Sequence, residues 1–253
     1  MDETAKRYNT RPTHTYATGN VGGYKQSKER LTVAVCANAD GSHKYGLYVI
    51  GTAKRPRTFP KDWSPRLIGI TRASNKTAWM NTITFTEFIK EFDATMMHRH
   101  GGEEVLLLMD NAPSHKLEEG VVLQCTKIAF LPPNTTTHLQ PMDAGIIANF
   151  KHHYKKLATR AQLQMIIRGL PAHISSYQAL LFCKKAWDAV SAQTGLRLAS
   201  FPDLVMLSTL SASTSKPISS NVSRTHWIRC RELCQIITSL VQTSTLQQTM
   251  TCL

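Results

Sequence analysis

The chain has 253 residues, of which 42% are apolar and 19% charged, with a mean hydropathy of −0.23. This composition excludes a mainly disordered chain and supplies core material for one or two domains. Lys and Arg outnumber Asp and Glu 30 to 17, a net charge of +13 with a pI near 9.6, so an anionic partner is expected, nucleic acid first. No apolar run approaches the ~18 residues of a membrane span. The opening Met1-Asp2-Glu3 is acidic where a secretory leader is basic, so neither membrane insertion nor secretion by that route is expected.

Leu31 to Cys36 is a short β-branched run that stops at Asn38-Ala-Asp40-Gly41, and apolar residues resume from Tyr45 to Ile50. That pattern predicts a β-hairpin with an Asp-Gly turn. After the loop Lys54-Arg55-Pro56-Arg57, Leu67 to Thr71 reads as a further strand. From Thr84 to Met97, Phe85, Phe88, Ile89, Phe92 and Met96 recur at three- and four-residue intervals. This is the stripe of an amphipathic helix facing a core.

Val105 to Met109 is a continuous apolar run too short for a solitary helix, and it predicts a strand buried on both faces. Thr126 to Leu131 predicts another strand, stopped by Pro132-Pro133. Ile146, Ile147, Phe150, Tyr154, Leu157 and Ala158 trace a long helix after Asp143, and Tyr177 to Val190 a last one. Strands first, then helix, strand, strand and helices, suit an α/β fold with a mixed sheet. Beyond Pro202 the chain turns rich in Ser, Thr and Gln, as a weakly ordered extension would.

The six cysteines, Cys36, Cys125, Cys183, Cys230, Cys234 and Cys252, show no paired metal-ligand spacing, so reduced thiols are expected rather than zinc. Two carboxylates sit where chemistry would want them. Asp110 ends a buried strand and Asp143 opens a helix; burying either costs free energy unless something pairs with it. Spacing alone leaves open whether both merely cap local turns or hold a hard divalent cation such as Mg²⁺ or Mn²⁺. Between Ala144 and Trp187 there is no acid, while Lys151, Lys155, Lys156, Arg160, Arg168, Lys184 and Lys185 fall there. One-signed stretches of this kind can contact phosphates or simply face solvent.

Several multi-residue words then occur in a fixed order: Met1-Asp2-Glu3-Thr4, Lys28-Glu29-Arg30-Leu31-Thr32-Val33, Cys36-Ala37-Asn38-Ala39-Asp40-Gly41, and Leu106 through Asp110-Asn111-Ala112-Pro113-Ser114-His115. Leu131-Pro132-Pro133-Asn134-Thr135-Thr136 and Leu139-Gln140-Pro141-Met142-Asp143-Ala144-Gly145 follow. Together they closely resemble the DDE-superfamily endonuclease domain of pogo and Tigger transposases, whose relatives include the host proteins jerky and centromere protein B. The resemblance runs from Met1 to about Val190. The domain is therefore set at residues 1–194, and residues 195–253 form an unmatched Ser/Thr-rich extension.

The resemblance implies a ribonuclease H-like mixed sheet flanked by helices, with Asp2, Asp110 and Asp143 as catalytic acids holding two ions of Mg²⁺ or Mn²⁺. Asn111, His115 and Gln140 lie in the same motif blocks as candidate supporting residues, and Lys25, Lys28, Arg30, Lys151, Lys155, Lys156 and Arg160 as candidate contacts to DNA. It further implies a nuclear protein that binds DNA, by ancestry cleaving and transferring strands through a two-metal mechanism. The alternative is a domesticated or decayed relative that binds DNA or chromatin without cutting it. Because only Met1 precedes Asp2 where the family has several apolar residues, the first strand is expected to be truncated and its carboxylate to fray. No oligomeric state follows from the sequence.

Overall fold

The computed structural model describes residues 1–10, 27–39, 41–131, 140 and 142–191. Four strands form one sheet in the order β1 (Asp2–Arg7), β2 (Arg30–Val35), β3 (Leu47–Gly51), β4 (Ile70–Ser74). β1 to β3 are antiparallel neighbours, and β4 joins β3 in parallel. Helix α1 (Thr82–His100) leads to a parallel pair, β5 (Val105–Met109) and β6 (Thr126–Phe130). A single π turn, Met142–Ile146, then opens α2 (Ile147–Ile167), and α3 (Ser176–Ala189) closes the described fold.

The hydrophobic pattern explains the layering. β2 and β3 are buried along nearly their whole length, as continuous apolar strands in the middle of a sheet must be. Leu31, Val33, Val35, Leu47 and Val49 point to one face, where Phe150 and Tyr154 of α2 and Leu180, Cys183 and Trp187 of α3 cover them. Ala34, Tyr48 and Ile50 point to the other, against Phe85, Phe88, Ile89 and Phe92 of α1 and Val105, Leu107 and Met109 of β5. The predicted α1 stripe is thus the one that is buried. Asn81 caps α1 through a reciprocal box with Thr84, and Gly101 ends it at φ 60°. Lys44 Nζ reaches the carbonyl oxygens of Trp187, at 2.5 Å, and Val190, at 2.8 Å, tying the β2–β3 loop to the end of α3.

Three local expectations change. The stretch Leu67–Thr71 divides: Pro65–Ile68 form a 3-10 turn that ends at Gly69 (φ 70°), and the strand begins only at Ile70. Pro65 pre-sets the turn and Gly69 accepts the left-handed conformation, which leaves Leu67 exposed. β5 is not sealed on both sides, since Leu106 and Leu108 are only half-buried while Val105, Leu107 and Met109 are buried. The β2–β3 connection is longer than a two-residue turn. Asn38 closes it by donating its N–H to the His43 carbonyl at 3.0 Å and accepting the His43 N–H on Oδ1 at 2.8 Å. Asp40 and the extension 195–253, with Cys230, Cys234 and Cys252, lie outside the described residues; Cys36, Cys125 and Cys183 are free and buried.

Asp93, 6% exposed on the core side of α1, fastens β6 to α1. Its carboxylate accepts main-chain N–H groups of Gln124 (2.8 Å), Cys125 (3.1 Å) and Thr126 (2.7 Å). Burial opposes its charge, but these donors outweigh it and hold the carboxyl down to about 2. The contribution to stability is therefore complete above the unfolded carboxyl value of ~4 and is lost as pH falls toward 2. Asp93→Ala should cost about 3 kcal/mol in urea unfolding at pH 7, because three main-chain donors, those of Cys125 and Thr126 buried, lose a charged acceptor; the difference from the parent should shrink below pH 4.

Candidate active site at the ends of β1 and β5

The pleat of β1 sorts its acids. Asp2 pairs with Val35 and Glu3 with Ala34, and these partners belong to the cores on opposite faces of the sheet. Asp2 therefore faces the side of α2 and Glu3 the side of α1. Asp2 is not frayed: it is a paired strand residue only 8% exposed. Met1 is buried too, and its nitrogen donates to the Leu108 carbonyl of β5 at 2.8 Å. That bond joins the two sheets at the ends where Asp2 and Asp110 stand.

Asp110 follows the last residue of β5, half-buried. Asp143 lies in the π turn before α2, exposed, with its N–H on the Gln140 carbonyl at 3.2 Å. Gly145, at φ 146°, lets the chain swing from that turn into α2. Three chain segments thus bring Asp2, Asp110 and Asp143 into one electrostatic neighbourhood. The Asp2 carboxyl is pushed up to about 7, first by burial, next by the charge of Asp143, with Glu3 and Asp110 adding to it.

His115 is the positive element. Its ring is 2% exposed and stacks on Phe85 at 4.9 Å between centroids. Nε2 lies 2.7 Å from Glu3 Oε1, and Nδ1 lies 2.9 Å from Asp110 Oδ1 and 3.0 Å from the Asp110 carbonyl. Burial works against a charged ring, yet the contacts with Asp110 and Glu3 prevail and raise it to about 10, so His115 is an imidazolium at neutral pH. That cation first, against the burial of the group, holds the Asp110 carboxyl below the usual range. The Nδ1 hydrogen is directed at the carbonyl, which leaves Asp110 Oδ1 buried at ion-pair distance without a well-formed hydrogen bond.

Gln140, 2% exposed, donates to the Met1 carbonyl at 3.3 Å and so braces β1 beside Asp2, while its own Oε1 has no partner among the described residues. Asn111 is exposed at the rim. Lys151, Lys155, Lys156 and Arg160 are all exposed on α2, Lys28 is exposed and Arg30 half-buried at the start of β2, and Lys25 lies outside the described residues. Glu3 was the partner missed: it stands in the same word as Asp2, but only its contact with His115, 112 residues away, shows its use.

Hard carboxylate oxygens, one of them held near neutrality by its neighbours and another lacking a hydrogen bond, are the donor chemistry that suits Mg²⁺ or Mn²⁺. Among the described residues no three His, Cys, Asp or Glu side chains already form a metal-holding group.

The family model described as the DDE superfamily endonuclease matches residues 28–195. The chain belongs to that family. The fission yeast CENP-B homolog protein 2 is 34% identical over 176 residues, covering 67% of this chain and 34% of its own length. The human Tigger transposable element-derived protein 7 is 32% identical over 144 residues, 53% of this chain and 26% of its own. The mouse Jerky protein is 27% identical over 199 residues, 76% and 34%. This DDE domain thus spans about a third or less of the curated relatives it matches. No solved structure matches it. Asp110, His115 and Asp143 fall within the matched span of the family model, whereas Asp2 and Glu3 precede it, so their place in the site rests on geometry and on the motif they share.

Because Asp2 titrates higher in the folded chain than the ~3.9 of an unfolded aspartate, it stays protonated in the fold after the unfolded chain has lost its proton. Stability should then fall as pH rises from 4 to 7. Asp2→Asn should flatten that fall in metal-free thermal melts and raise the melting temperature at pH 8, and Asp143→Asn should move the Asp2 titration, followed by carboxyl NMR, to lower pH.

Proposed function

We propose that this transposase-derived domain is a DNA-binding, two-metal phosphodiester-cleaving unit of ribonuclease H-like architecture, acting in the nucleus. The observation that carries the reading is that the Asp2 carboxyl, buried at the start of β1, is raised first by that burial and then by the charge of Asp143, with Asp110 adding to it. The bond from Met1 to Leu108 supports the architecture, since it sets β1 beside β5 and so places the antiparallel strands next to the parallel pair.

In this reading Asp2 is the shared ligand, with Asp110 and Asp143 each serving one side. Two divalent cations there would supply Lewis-acid activation of an attacking water or 3′-hydroxyl and stabilise the leaving oxygen. The chain's own part is to orient. His115 fixes the Asp110 carboxylate against β1 through Glu3, Gln140 steadies the main chain at Met1, and the exposed lysines of α2 offer contacts to backbone phosphates. Charge supports the partner, as do relatives whose names include an ARS-binding protein and a major centromere autoantigen B.

A second reading, a DNA- or chromatin-binding protein that does not cut, is favoured by one observation: the imidazolium of His115 already neutralises Asp110, competing with a metal for that carboxylate.

The two readings separate on metal. With 5 mM Mg²⁺ or Mn²⁺ the cutting domain should gain several degrees in melting temperature and nick supercoiled DNA, and Asp110→Asn should abolish both effects. No metal-dependent shift and no nicking, with DNA binding intact, would leave the silent binder standing. Both readings require salt-sensitive DNA binding: six phosphate contacts would lose on the order of 10³ in affinity between 50 and 200 mM salt, measurable by fluorescence anisotropy. Affinity unaffected by salt would contradict both.

A further inference from the structure

At the end of β1 remote from the acids, a tryptophan is displayed rather than buried. Trp79 is 57% exposed, and the Arg30 guanidinium lies 3.7 Å from its ring centroid, covering one face. The loop that carries it is braced. Ala78 is fully buried with φ 54°, a left-handed conformation that alanine adopts at a cost. The Ala78 carbonyl accepts the Thr32 hydroxyl at 2.6 Å, and the Trp79 carbonyl accepts the Asn75 amide at 2.6 Å. A strained, doubly anchored turn holds the indole outward.

The charge around it has one sign. Arg7 stands directly opposite Arg30 in the β1–β2 register, a like-charged pair that costs stability unless an anion joins it. Lys28 and Lys76, both exposed, lie two and three residues from Arg30 and Trp79. Among the described residues neither arginine nor either lysine makes an ion pair. Glu29, the adjacent acid, is taken by Asn9 at 3.1 Å and by His173 at 3.7 Å. The Arg30 Nε is buried without a partner.

We propose that Trp79, backed by Arg30 and flanked by Arg7, is a stacking platform for an unpaired base of a DNA strand, whose phosphates pair with the two arginines. An open indole face stacks on any base, and a guanidinium behind it adds cation–π attraction. Arg7 is five residues from Asp2 along β1, about 17 Å at the strand rise, or roughly five base-pair steps along a duplex. The platform would therefore hold a strand end or an unpaired stretch away from the acids, not the phosphate being cut. This rests on the nucleic-acid reading above but not on metal binding or cleavage.

The test measures binding of the full chain to a fluorescent 12-nucleotide single strand and to the 12-base-pair duplex, with thermal melts of each variant. Trp79→Ala should weaken single-strand binding about tenfold and leave duplex binding within about twofold, while Trp79→Phe restores most of the loss. Arg7→Gln, at an exposed side chain, should lower the salt slope by about one. If Trp79→Ala lowers the melting temperature, Trp79→Phe and Arg7→Gln decide instead. Single-strand affinity unchanged in Trp79→Ala, or an unchanged salt slope in Arg7→Gln, would overturn the platform. A parent chain that binds neither DNA would overturn the nucleic-acid reading itself.

Discussion

The alternation of β1 is the constraint on which the site depends. Consecutive residues of a strand point to opposite faces, so an Asp-Glu pair at its start cannot serve one purpose. Asp2 is sent toward the side of α2 and Glu3 toward that of α1. The same carboxylate chemistry, one residue apart, becomes on one face part of an acidic cluster and on the other the anchor of an imidazolium.

This division lets three acids come together without breaking the fold. Repulsion and desolvation act together on Asp2, whose proton is retained to near neutrality. Asp110 escapes that fate because His115 stands against it, and His115 can carry charge in a buried place because Asp110 and Glu3 face its two nitrogens. A histidine between two carboxylates thus spreads one positive charge over a strand end and a loop. The consequence is asymmetry: Asp110 is ionised and held, and Asp2 is buried and responsive to added charge. That pattern of carboxyls driven apart is the one that acid–base and metal chemistry exploit.

Much of this was legible in the sequence because the signals were local. The α1 stripe reads as helix from its period alone, and β2 and β3 read as paired strands because their runs are short, rich in apolar and β-branched residues and separated by turn residues. Asp110 and Asp143 announce themselves by position, the first at the end of an apolar run and the second at the opening of a helix. The strand begins at Ile70 and not at Leu67 because Leu67, though apolar, lies in a Pro-initiated turn, where chain geometry overrides hydropathy. A run of five apolar residues such as β5 predicts a sealed strand because it does not reveal that one face meets only partial cover. The Glu3–His115 contact spans 112 residues and has no period or spacing to betray it. Nor did spacing foretell that Asp2, next to the first residue, would be buried, since that depends on a bond between Met1 and a strand more than a hundred residues away.

β1 finally acts as an axis of charge. Acids gather at its start and arginines at its end, Arg7 facing Arg30, with Thr4, Ala5 and Lys6 between them. A chain of net charge +13 could have scattered its cations evenly. Here the basic helix α2 leaves from Asp143 while the arginine pair sits at the opposite end of β1, so basic side chains lie on either side of the acids. By charge alone, a polyanion approaching such a surface would meet attraction from the dispersed cations and repulsion where the carboxylates cluster, and a divalent cation there would reverse the sign. The dispersed cations and the three carboxylates are in this way separate features of the surface, and a contact that depends on the first need not depend on the second.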